Sequence, residues 1–72
     1  MRVMVVGAGP AGARVLRQLA KNERLEVIVV DPRERPRAVE EGLIEAVDVL
    51  EPVTPLNLEH IVAQVEPDIV LL

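Results

Sequence analysis

Apolar and polar positions follow two periods along this chain, and each change of period marks an element. Residues 2–6, RVMVV, read as a short apolar run stopped by Gly7, the pattern of a strand buried in a parallel sheet. From Pro10 to about Asn22 the period lengthens. Ala11, Val15, Leu16, Leu19 and Ala20 share one helical face, while Arg14, Arg17, Gln18 and Lys21 fall elsewhere. Pro10 suits the first helical position, because its fixed φ is helical and the N–H it lacks has no intrahelical acceptor there. Residues 26–31, EVIVVD, give a second buried strand, stopped by Asp31 and Pro32.

The following PRERPRAVEEG is rich in proline and charge, and predicts a loop and then a short helix over 36–41 capped by Gly42. Residues 45–50, EAVDVL, predict a third strand. Thr54 then offers an N-cap hydroxyl and Pro55 a first helical residue, and Leu58, Ile61, Val62 and Val65 form an i, i+3, i+4, i+7 stripe. Glu66 and Pro67 end that helix, and DIVLL, residues 68–72, predicts a fourth strand. Strands alternating with helices imply an α/β fold with a parallel sheet and right-handed crossovers. The expected strand order is 3-2-1-4, with helices on both faces in three layers. Residues 1–72 form one domain in this reading. The uncovered apolar fourth strand leads us to expect either the N-terminal part of a longer protein or a homo-oligomer paired through that strand.

Gly7, Gly9 and Gly12 make G-x-G-x-x-G. The triplet follows a strand directly and opens a helix, and an acid, Asp31, stands 19 residues after Gly12 at the end of the next strand. In that setting Gly7 permits a tight turn, Gly9 lets a pyrophosphate approach the backbone, and Gly12 lets the helix pack close to the strand. The helix N-terminus supplies unpaired N–H groups and a partial positive charge. Pro10 has no N–H, so the expected donors are Ala11 and Gly12, with Gly9 or a bridging water beside them. Asp31 would accept from ribose hydroxyls, which favours NAD over NADP, with Arg33 and Arg35 near enough in sequence to temper that preference. The alternative for the glycines is a strand-to-helix corner that binds nothing, and for Asp31 a turn residue before Pro32.

Charge is distributed unevenly. All eight bases lie within residues 2–37, beside four acids, while residues 38–72 carry eight acids and no base. The basic half suits an anionic ligand, although solvated faces attracting each other would give the same pattern. Phe, Trp, Tyr and Cys are all absent. An acidic total without aromatic stacking residues disfavours nucleic acid, and no disulfide or cysteine-based metal site is possible. A reducing, cytoplasmic setting is expected, with no membrane insertion. His60 falls on the polar side of its helix with no second His to complete a metal site, and Arg33, Arg35 and Arg37 read as a solvated loop, with a phosphate clamp as the alternative.

VVGAGPAG with VIVVD resembles the NAD(P)- and FAD-binding Rossmann domains over most of the chain, which implies a Rossmann-like half-fold. The GAGPAG spelling is similar to that of flavoprotein oxidoreductases, which usually carry Glu where Asp31 stands. VDVLEP, the helix after it and PDIVLL resemble the N-terminal nucleotide-binding domains of Trk-type potassium-transport regulators and of saccharopine-dehydrogenase-like reductases. These resemblances imply a pyrophosphate loop at Gly7, Ala8, Gly9, Pro10, Ala11 and Gly12, a ribose-side group at Asp31, Pro32 and Arg33, and an adenine-side acid at Asp48. The implied ligand is an adenine dinucleotide, NAD first, with NADP and FAD as alternatives. A regulatory or cofactor-holding module is the first reading, a cofactor-binding fragment of an oxidoreductase the second, and an oligomerising domain with a degenerate site the third. Catalysis by this chain alone is not expected, since a ring site normally comes from the second half of such folds.

Overall fold

The computed structural model describes all residues, Met1–Leu72. Its elements are β1 (Arg2–Val6), α1 (Pro10–Leu19), β2 (Glu26–Val30), α2 (Arg37–Glu40), α3 (Leu58–Val65) and β3 (Ile69–Leu71). The sheet is parallel and three-stranded in the order β2-β1-β3. β1 is central and pairs with β2 from Arg2↔Glu26 to Val6↔Val30, and with β3 from Val3↔Ile69 to Val5↔Leu71. Alternate side chains of these strands enter two separate cores, as the two-residue strand period requires. Val3, Val5 and Val29 pack with Ala13 and Leu16 of α1 and Ala38 of α2, whereas Met4 and Val30 pack with Ile61 and Val65 of α3. Helices therefore cover both faces in three layers.

The expected sheet of four strands is corrected to three. Residues 45–50 do not form a strand; only Val49 pairs, in a single parallel bridge to Val30 on the outer edge of β2, where the third strand was expected. Three hydrogen bonds explain this. The N–H groups of Leu43 and Ile44 both turn back to the Ala38 carbonyl, which holds the chain against the first core instead of along β2. On the edge itself, Val29 N–H donates to the Asp48 carboxylate at 2.7 Å, taking a side-chain oxygen where a third strand would have offered a backbone carbonyl. The edge ladder therefore stops at Asp48.

Helix boundaries differ by a turn. α1 ends at Leu19, three residues short of Asn22, and residues 20–21 continue as a turn. α2 is held as expected around Gly42. With φ +75 at Gly42, its N–H reaches the Val39 carbonyl and the Leu43 N–H reaches that of Ala38, the paired bonds of a Schellman cap. α3 begins at Leu58 rather than Pro55, because residues 55–57 form a turn ahead of it. Thr54 nevertheless caps that turn: its hydroxyl accepts from Leu56 N–H, and its own N–H donates to the Asn57 side chain at 2.7 Å. The second bond is the back-reaching half of a capping box, with Asn in the usual place of Glu, while the hydroxyl takes the N–H one residue earlier than such a box does.

Candidate functional site

The glycine turn lies where β1 ends and α1 begins, at the point where the sheet order reverses: β2 flanks β1 on one side, and β3, which the chain reaches only after α3, flanks it on the other. Ligands of open parallel sheets bind at such a switch. Gly7 has φ +95, a conformation that L side chains rarely adopt, so its glycine is required by the backbone. Gly12 is required by proximity: a β-carbon there would fall on the Gly7 carbonyl oxygen. Helix and turn are thus in direct contact, as the spacing implied. At Gly9 the backbone is ordinary, and a β-carbon would meet only the Arg33 guanidinium, with Nη2 at 3.2 Å.

The turn's N–H groups divide into two sets. Gly7 N–H donates to the Val30 carbonyl and Ala8 N–H to Asp31 Oδ2, both at 2.8 Å, so these two serve the fold. The N–H groups of Gly9, Ala11 and Gly12 have no acceptor within the protein. Three adjacent unpaired donors at a helix N-terminus, with Pro10 contributing none, are chemically suited to an anion. A cleft of about 280 Å³ opens beside them, lined by Gly7, Gly9, Pro10, Gly12, Val15 and Leu71 among others. Its apolar wall comes from α1 and β3, which spacing arguments about the glycines alone do not indicate.

Asp31 is placed beside the turn, and its environment differs from a free ribose acceptor. Its side chain is 1% exposed. Oδ2 accepts from Ala8 N–H at 2.8 Å and Arg33 Nη2 at 3.1 Å; Oδ1 accepts from Arg33 N–H at 2.8 Å and Arg33 Nε at 3.1 Å. The hydrogen bonds from the Arg33 side chain, helped by the Ala8 and Arg33 N–H groups and opposed by burial, hold the carboxyl at about 2 against an ordinary 3.8. The same pairing raises the Arg33 pKa. Arg33, read from sequence as part of a solvated loop, is therefore paired with Asp31, although its own side chain stays 59% exposed. Pro32, between them, is exposed.

Asp48 is not brought to the turn. Its carboxylate is bonded to Val29 N–H, and it lines a separate cavity of about 390 Å³ with Leu16, Val29 and Ile44, none of them part of the glycine turn. A contact that sequence reasoning missed is the bond from Ala38 N–H to the Ala8 carbonyl at 3.0 Å, which ties α2 to the turn. Nothing in RPRA signals it, because it is made by backbone atoms.

A parallel sheet in the order β2-β1-β3, with a glycine turn opening α1 at the end of the central strand, defines a nucleotide-binding α/β domain. A family model for FAD-NAD(P)-binding domains matches residues 4–42, more than half of the chain, and the chain belongs to that family. The matched segment includes the glycine turn, Asp31, Arg33 and the Gly42 cap. It stops short of Asp48 and of residues 43–72. No curated protein and no solved structure matches the chain. No helix is long and apolar enough to cross a membrane.

Proposed function

We propose that this chain holds an adenine dinucleotide, NAD(H) in the first instance, by its diphosphate, as a regulatory or cofactor-holding module. The observation that carries the reading is the set of unpaired N–H groups at Gly9, Ala11 and Gly12, beside a cleft that Gly7, Gly9 and Gly12 help to line. Charge supports it, since the bases are confined to residues 2–37. The acid at the end of β2 favours NAD(H) over a ligand phosphorylated on that ribose. The resemblance of residues 47–72 to Trk-type regulators supports the regulatory form. The family match favours a second reading, in which the domain serves a flavin- or nicotinamide-dependent oxidoreductase. There the ring would supply the hydride chemistry, and the residues of this chain would bind and orient the diphosphate end.

Titration with NADH, NADPH, FAD and ADP-ribose tests both readings. Binding of ADP-ribose together with NADH, lost by at least about tenfold in Gly9→Val, is the expected result, since a valine there blocks the approach to the backbone. Absence of binding by every one of them at millimolar concentration would overturn the proposal. FAD binding much tighter than NADH would favour the oxidoreductase form.

A further inference from the structure

We propose that Arg33 is an exchangeable cover on Asp31, and that its guanidinium passes from the carboxylate to the diphosphate when a dinucleotide binds, opening Asp31 to the ribose. This rests on the dinucleotide reading above and adds to it a coupling between two parts of one ligand.

A carboxylate offers about four acceptor positions. At Asp31 all four are occupied, two by backbone N–H groups of Ala8 and Arg33 and two by the Arg33 fork. A ribose diol therefore finds no acceptor while the fork is in place. The backbone donors are fixed by the turn and by the chain itself, but the fork belongs to a long side chain that is 59% exposed. It takes one position on each oxygen, Nε on Oδ1 and Nη2 on Oδ2. Its departure leaves one free acceptor on each oxygen, the pattern that the two adjacent hydroxyls of a ribose require.

The destination of the guanidinium is next to its present place. Nη2 stands 3.2 Å from where a Gly9 β-carbon would be, at the edge of the unpaired N–H groups. A guanidinium has five N–H donors, and three remain beyond those given to Asp31. A diphosphate seated on the turn would present more negative charge than the single carboxylate and accept bidentately from the same fork. Moving to it keeps the guanidinium paired throughout. A nucleoside without phosphate offers Arg33 nothing in exchange, so it must compete with an intact ion pair. Diphosphate and diol are thereby coupled, each easing the other's binding.

The test compares ADP, 2′,3′-dideoxy-ADP, adenosine and 2′,3′-dideoxyadenosine on the parent protein and on Arg33→Leu. In the parent, loss of the diol should weaken ADP by about tenfold and leave adenosine little changed, the scale of a hydrogen bond to a charged group. In Arg33→Leu, adenosine should bind several-fold tighter than to the parent and ADP more weakly. If Arg33→Leu weakens ADP and leaves adenosine unchanged, Arg33 is a phosphate contact only and the exchange is wrong. A second measurement needs no variant: inorganic pyrophosphate added to the parent should shift the Arg33 Nε–H and Asp31 carboxyl resonances together. Pyrophosphate that shifts the Ala11 and Gly12 amides but not Arg33 Nε–H overturns the exchange while leaving the diphosphate site intact. Pyrophosphate and ADP-ribose that shift nothing overturn the dinucleotide reading and the exchange with it.

Discussion

Asp31, at the end of β2, and Asp48, in the segment between α2 and α3, both interrupt an apolar run, and the carboxylate of each accepts a backbone N–H. They sit in different company. Asp31 is enclosed, receives four donors, and pins the glycine turn to β2 through Ala8 while Arg33 balances its charge. Asp48 is more open, has no cationic partner, and replaces a carbonyl on the edge of β2. One acid joins two elements; the other ends one. The same residue type following the same kind of apolar run thus has opposite effects on the sheet, and the difference lies in which donors the neighbouring backbone presents.

The strongest way to test the pinned side is Gly12→Val. Its added carbons would fall on the Gly7 carbonyl, so α1 must move off the turn, and a stability loss of about 3 kcal/mol is expected from overpacking. For one small domain that is a large share of the total. The midpoint of urea denaturation reads it, and an unchanged midpoint would mean that α1 and the turn are not in contact.

Acid should separate the two aspartates next. Because the folded Asp31 carboxyl is lowered from 3.8 to about 2, its bonds contribute fully above pH 3.8, and the contribution declines as pH falls towards 2. The shift corresponds to about 2 kcal/mol. Denaturation of the parent across that window should show the decline, and Asp31→Asn should be less stable at neutral pH and nearly flat through the window. A parent whose stability is level from pH 4 to 2 would show Asp31 to be unpaired.

The smallest effect belongs to Asp48→Ala, which leaves Val29 N–H without its acceptor at an open edge. A loss of about 1 kcal/mol is expected, with faster hydrogen exchange at the Val29 amide. Exchange at Ala8, held by Asp31, should not change. If both amides respond alike, the two regions are not independent.

The βαβ unit was legible because its signals are local. The run before Gly7, Pro10 at the helix start and the helical spacing of Ala11, Val15, Leu16 and Leu19 each fix a backbone state within a few residues. Helices on both faces followed from the alternation of strand and helix signals along the chain. The outer strand was not legible, because EAVDVL has a strand's apolar content and nothing in it says that the Asp48 side chain will take the Val29 N–H. Propensity describes what a segment can do, and the competing side-chain bond decided what it did. Gly7, Gly9, Gly12 and Asp31, grouped from the sequence by spacing, are neighbours in the fold, but the bonds that Asp31 makes there were not legible. Arg33 follows Asp31 by two residues, close enough to fold back on it, and the Ala8 and Ala38 backbone contacts have no sequence signature at all.

The carboxylate at Asp48 also bears on how molecules of this protein meet one another. An open sheet edge with free donors invites a strand from another chain, and natural sheets resist this by placing charge there. On β2 the Val29 donor is already taken, by a group that a newcomer would have to displace and leave bare of any partner. Edge-to-edge stacking is discouraged on that side by the residue that keeps the sheet at three strands.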